Sequence, residues 1–219
     1  MDRTSRFEDI FNNFDNFHFH ILGCGAIGSS AAIQIARSGG EKFTLYDNDK
    51  VSHENIGVSQ YGFSDIGKHK VDALENYLNE ICDNPIVINE KDRFIDSSQY
   101  TPHGNDVIVL GFDNMSSRLQ AVEIACSVKR LKPLMLIDGR MGAQTYQQYA
   151  FKKPSLNKYI KCWYDDDSAS TEPCTAKATS YCSNMAGSFI TNSISKMANN
   201  HMYEKEILFH FPSMTLMAK

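Results

Sequence analysis

His18-Phe19-His20-Ile21-Leu22-Gly23-Cys24-Gly25-Ala26-Ile27-Gly28 is a short apolar-rich run that ends in a G-x-G-x-x-G turn. Directly behind it, residues 26–37 carry small and apolar side chains at helical spacing, and Ser38-Gly39-Gly40 closes them. Strand, glycine turn, helix and stop follow one another without a gap. In that context the glycines let backbone approach a phosphate, and the helix N-terminus attracts its charge. Gly23, Gly25, Ala26, Ile27 and Gly28 are therefore expected to hold a nucleotide.

Working outward, residues 42–46 read as a second strand ending on Asp47, where a carboxylate receives ribose hydroxyls. Turn and carboxylate together point to an adenosine-containing ligand without separating NAD from ATP. Residues 68–82 place Val71, Leu74, Leu78 and Ile81 on one helical face, and residues 86–89 supply a third strand. Residues 106–110 form the continuous apolar run of a strand buried on both faces, followed by a helix over 116–128 and a strand over 134–137. This alternation predicts an α/β chain with a Rossmann-like, doubly wound, mostly parallel sheet and a ligand site at the carboxyl ends of its strands.

The last third differs. Residues 145–151 alternate as an exposed antiparallel strand does, residues 157–179 read as a polar mobile loop, and Met185, Ala186, Phe189, Ile190, Ile194 and Met197 form a stripe on a closing helix. Residues 206–211 read as a final edge strand, so an antiparallel extension is expected after the parallel half. The chain is read as one domain over 1–219, with an N-terminal segment 1–17, a nucleotide-binding core 18–140 and a C-terminal extension 141–219.

Of the 219 residues, 42% are hydrophobic and 22% charged, with a formal net charge of -4, so no basic field is available for nucleic acid. No apolar run reaches the roughly 18 residues of a membrane span, and the polar, acidic N-terminal stretch is unlike a signal peptide. A cytoplasmic protein is expected. The cysteines at 24, 82, 126, 162, 174 and 182 form no C-x-x-C pair, so reduced thiols and no structural metal, zinc included, are expected.

Chemistry-bearing residues cluster after the strands: Asp47-Asn48-Asp49, Asn55, Gln60, Asp65-Ile66-Gly67-Lys68-His69-Lys70-Val71, and Gly111-Phe112-Asp113-Asn114 with Arg118. From Ile21 to about Asp138, and more weakly through Ala198, this set resembles the E1-like, ThiF and MoeB adenylyltransferases. The resemblance implies that Asp47 holds the ribose of ATP, that Lys70 contacts the phosphates, and that Asp113 carries Mg2+. Asp49, Asn55, Gln60 and Arg118 would complete the surroundings of ATP. Attack of a carboxylate on the α-phosphorus brings two anions together, and a lysine with a magnesium ion offsets their repulsion.

The implied substrate is the C-terminal carboxylate of a ubiquitin-like or sulfur-carrier protein, or of a peptide. Glu172-Pro173-Cys174-Thr175 matches the crossover-loop cysteine that accepts the acyl group as a thioester in some members, with Lys177 nearby to lower its pKa. A homodimer is also implied, because the family pattern N-x-x-R-Q is broken. Asn55-Ile56-Gly57-Val58-Ser59-Gln60 has valine in place of the arginine, leaving Arg6 or Arg3 of a partner copy to supply the cation. Asp138-Gly139-Arg140-Met141-Gly142 follows a strand end and reads either as a contact for the carboxylate tail or as a plain turn.

Plainer readings stand beside these. Lys70 also fits a solvated helix-start lysine, Asp113 an N-cap, Asp49 and Asn55 turn residues, Arg118 the partner of a nearby carboxylate, and Cys174 an inert loop thiol. Two other functions share part of the pattern, an NAD-dependent oxidoreductase and a non-catalytic E1-like binding subunit. The D-x-D, Lys70 and Asp113-Asn114 are unexplained by hydride transfer, and retention of Lys70 and Asp113 speaks against the second.

Overall fold

Phe19, Ile21 and Leu22 of β1 (His18–Leu22) are fully buried, because this strand lies in the middle of the sheet and is covered on both faces. Its parallel neighbours are β2 (Lys42–Tyr46) and β4 (Asp106–Leu110). The computed structural model describes residues 3–7, 9–10, 13–94, 100–128, 130–165 and 178–219.

The chain leaves β1 through α1 (Ala26–Arg37) to β2, then through α2 (His53–Ile56) and α3 (Lys70–Ile81) to β3 (Ile86–Glu90). It returns to the other side of β1 as β4, and α4 (Met115–Ala125) leads on to β5 (Met135–Gly142). Three antiparallel strands follow, β6 (Thr145–Lys152), β7 (Glu206–His210) and β8 (Thr215–Ala218), with α5 (Leu156–Tyr159) and α6 (Ser180–Ala198) between β6 and β7. The order β3-β2-β1-β4-β5-β6-β7-β8 makes one eight-stranded sheet, parallel as far as β5. The direction of winding reverses between β1 and β4, which is where a doubly wound sheet opens a crevice at its carboxyl edge.

Two apolar layers cover the sheet. On one face Phe19, Ile21, Phe43, Leu45 and Val109 pack under α1, α3 and α6; on the other Leu22, Tyr46, Ile108, Leu110 and Leu136 meet α4 and Tyr159 of α5. Helices α1 and α6 approach very closely. A Cβ built on Gly187 would lie 2.3 Å from Ser30 Oγ and 2.8 Å from its backbone carbonyl, so only glycine permits the contact.

Several expectations change. Residues 138–142 are not a turn after a strand; β5 continues through them, paired with β6 from Gly142↔Thr145 onward, because Asp138 is neutralised in the interior by Arg118 and Arg140. Residues 157–179 are not one loop throughout. Tyr159 is buried with its hydroxyl 3.0 Å from Asp138 Oδ2, Ile160–Cys162 make a 3-10 turn, and Trp163 Nε1 donates to Met115 O at 2.8 Å. Residues 166–177 lie outside the described ones. The outermost strand on this side is β8, not β7.

The N-terminal segment is tied down where it meets the core, with Phe14 and Phe17 buried beside Phe19. Among the described residues, no helix is long and apolar enough to cross a membrane.

Candidate active site

The glycine turn is held by backbone. Gly23 N–H donates to Tyr46 O at 2.9 Å and Gly111 N–H to Leu22 O at 2.7 Å, so the turn, the end of β2 and the end of β4 share one rim. Gly23 has φ +89°, and a Cβ there would meet Gly111 backbone at 2.9 Å; one on Gly28 would meet Gly23 O at 1.9 Å. A Cβ on Gly25, by contrast, would meet nothing within 4 Å. Two glycines therefore let the turn close on itself, and the third faces open space at the start of α1. Ala26 opens the helix half-exposed, while Ile27 turns into the core.

Asp47 accepts the Cys24 N–H and the Asp49 N–H, each at 2.8 Å, which fixes its carboxylate beside the turn. Burial pushes its pKa up, against the opposing pull of Lys70 and these two N–H groups. The first residue of α3 is Lys70, whose Nζ lies 2.8 Å from Asp49 Oδ2 and 3.7 Å from Asp47 Oδ2. Burial alone would lower the Lys70 pKa, but the two carboxylates overturn that and raise it. A cation at a helix N-terminus is disfavoured by the macrodipole, so the D-x-D pair is what holds it there. Tyr61 links the two pieces, its hydroxyl donating to Cys24 O at 2.5 Å and lying 3.3 Å from Lys70 O.

Across the turn, Asn114 is the N-cap of α4, its Oδ1 accepting Ser117 N–H at 2.7 Å. The capping role falls to Asn114, and Asp113 remains exposed with Oδ1 accepting from Asn114 Nδ2 at 3.0 Å. Gly23, Gly25, Asp47, Asp49, Lys70 and Asp113 line a single cleft of about 290 Å³. Arg93, just beyond β3, lines it as well and is absent from the sequence reading. The available signal was a basic residue close behind a parallel strand's carboxyl end.

The other named residues serve the walls. Asn55 Oδ1 accepts Ser52 N–H at 2.9 Å in a capping box for α2, and Gln60 Nε2 donates to Asn184 Oδ1 at 2.7 Å, joining the loop to α6. The buried Arg118 donates to the Asp138 carboxylate, to Gly139 O at 2.9 Å and to Phe112 O, so it orients the peptide that carries Asp113. Val58 gives its carbonyl to Ser183 Oγ at 2.7 Å. Arg3 docks within its own chain, on Ala36 O at 3.2 Å, Gly40 O at 3.3 Å and Glu41, while Arg6 is exposed. Cys174 and Lys177 lie outside the described residues.

The model of the ThiF family matches residues 6–217. The chain belongs to the ThiF family. This ThiF-family chain is 30% identical over 133 residues to a tRNA threonylcarbamoyladenosine dehydratase of Haemophilus influenzae, 58% of this chain and 49% of that protein. It thus spans about half the length of that curated relative. Among solved structures, E. coli MccB with ATP superposes with a TM-score of 0.76 at 16% identity, over 100% of this chain and 71% of that one. PaaA gives 0.72 at 16% identity, over 94% and 64%. At such identities the likeness is one of fold.

Proposed function

We propose that this ThiF-family chain activates a carboxylate with ATP. The carrying observation is that one cleft brings Lys70, gripped by Asp47 and Asp49, to the glycine turn that also faces Asp113. Asp47 receives the ribose, the backbone at Gly25 receives phosphate, and Lys70 leaves its carboxylate partners for phosphate oxygens. The open side of Gly25 and the exposed carboxylate of Asp113 fit a nucleotide with its divalent ion. Magnesium held by Asp113 would neutralise phosphate charge. A substrate carboxylate oxygen attacks the α-phosphorus, the bond to the pyrophosphate oxygen breaks, and an acyl adenylate and pyrophosphate result. Asn55, Gln60 and Arg118 act here as supports of the walls.

The substrate is the C-terminal carboxylate of a peptide or of a ubiquitin-like or sulfur-carrier protein. Solved structures of E. coli MccB with ATP, and of MccB with N-formylated MccA, support a nucleotide together with a peptide-like partner. In a second step the Cys174 thiolate attacks the acyl carbon, a C–S bond forms, and AMP leaves with the former carboxylate oxygen. The protein works as a cytoplasmic homodimer.

Calorimetry and substrate-dependent ATP–pyrophosphate exchange test this. ATP with Mg2+ should bind in the micromolar range, and Lys70→Ala and Asp113→Ala should each lower exchange by about 100-fold. Cys174→Ser should retain exchange and lose any thiol-sensitive adduct. Micromolar binding of NAD with none of ATP sinks the proposal.

A further inference from the structure

At the end of the sheet away from the nucleotide cleft, β1 and β4 begin with three side chains that converge: His18, His20 and Asp106. Their ligand atoms all lie within 4.8 Å of one another, with Asp106 Oδ1 3.4 Å from His20 Nε2 and 4.0 Å from His18 Nδ1. His18 and His20, two apart on a strand, share a face. The parallel register places His18 beside Asp106 and His20 beside Thr44.

His20 and Asp106 are buried and His18 half-buried, and their inner atoms are held by nothing tighter than the contacts to one another. His20 is 5% and Asp106 0% exposed, and among the described residues neither ring nitrogen of His20 nor Asp106 Oδ1 has a hydrogen-bond partner. A buried carboxylate oxygen with two imidazoles turned to it is offset by a cation held between them. The outer atoms, by contrast, are held. Asp106 Oδ2 accepts from the Tyr100 hydroxyl at 2.9 Å and His103 N–H at 2.7 Å, and His18 Nε2 is 2.8 Å from Thr44 Oγ1. Asp106 and His18 thus carry orienting bonds on the side away from the cluster, as metal ligands do, while His20 is positioned by the rings packed around it. The Tyr46 and Tyr100 rings close over His20.

We propose that His18, His20 and Asp106 bind one Zn2+ ion. Two imidazoles and a carboxylate match its preference, and donors about 2.0–2.1 Å from a tetrahedral zinc stand about 3.3 Å apart, close to the His20–Asp106 spacing. Small side-chain rotations bring His18 in. The fourth position falls to water. The expectation of no structural metal was drawn from cysteine spacing, and this site, built from imidazoles and a carboxylate, runs against it. Since β1 is five residues long, the ion sits roughly 13 Å from the glycine turn and clamps β1 to β4 without touching nucleotide.

The test uses the full chain, stripped with a chelator and titrated with Zn2+ against a chromophoric competitor, then with Co2+ read by visible absorption. The expected result is one saturable site per chain at micromolar or tighter affinity, a tetrahedral Co2+ band, and a melting temperature raised by about 5–10 °C at a hundredfold excess over Kd. His18→Gln and Asp106→Asn should each weaken binding at least 10-fold. Thr44→Val keeps the core volume, so its expected loss of about 10-fold decides the matter if Asp106→Asn does not fold. Absence of a saturable site in the wild type, or equal binding by wild type, His18→Gln and Thr44→Val, overturns the proposal.

Discussion

Asp65 accepts hydrogen bonds from Gly62 N–H at 2.9 Å, the Tyr77 hydroxyl at 2.7 Å and Lys68 Nζ at 3.0 Å. Burial by itself would raise its pKa, but those three donors prevail and hold it below the usual carboxylate value. A carboxyl whose folded pKa lies below its unfolded one contributes stability above the unfolded value, near 3.9, and loses it as pH falls through the folded value. Asp65→Asn should therefore lower the melting temperature at pH 6–7 and flatten its decline below about pH 4. An unchanged acid limb would show that the carboxylate is not coupled to folding. Arg93 makes the complementary case. It lines the cleft from beyond β3, in a chain that has valine at position 58. Arg93→Ala should weaken ATP binding by about 3- to 10-fold in calorimetry, the scale of one exposed charge; unchanged affinity would place Arg93 outside the nucleotide's reach. The turn residues and Asp47 were legible in the sequence because strand ends and glycines mark them locally. Arg93 and the histidine cluster were not, since their significance depends on which strands become neighbours.

At the scale of elements, the contact of α1 with α6 connects the start and the end of the chain. Gly187 sits against Ser30, the fifth residue of the helix that leaves the glycine turn. Gly187→Ala should cost about 1–3 kcal/mol, as overpacking does, read as a lower urea midpoint, and it should also weaken ATP binding because α1 is displaced. An unaltered midpoint would mean the two helices part without penalty. The apolar stripe made α6 legible, and the helical spacing made α1 legible, but not their pairing, because a stripe names a buried face and not what covers it. The turn reading of residues 138–142 failed for a different reason, while β6 was read as a strand. Asp138 and Arg140 resemble solvent-facing turn residues, yet Arg140 lies 2.7 Å from Asp138 Oδ2, and Arg118, supplied by α4, completes the neutralisation. Charge balance created by a distant helix leaves no local periodic signal.

For the whole molecule, the alternation of strands and helices was enough to read a doubly wound sheet, and the strand order then located the cleft. Assembly is less local. Arg3 is engaged inside its own chain and Arg6 is exposed, so in the proposed dimer Arg6 is the candidate for a cation donated between copies. Equilibrium sedimentation should find a dimer, and Arg6→Ala should lower exchange in wild-type dimers; a monomer with full exchange would remove any role for Arg6. The two rims of the sheet have a further consequence for handling. Outer strand β3 turns Ile86 and Ile88 to solvent, and outer strand β8 does the same with Leu216 and Met217. Among the described residues both rims offer unpaired backbone edged with apolar side chains, a template onto which foreign strands add. Strand addition in concentrated preparations should begin at these two margins, beside Lys91, which pairs with Asp72, and Lys219, which pairs with Glu206.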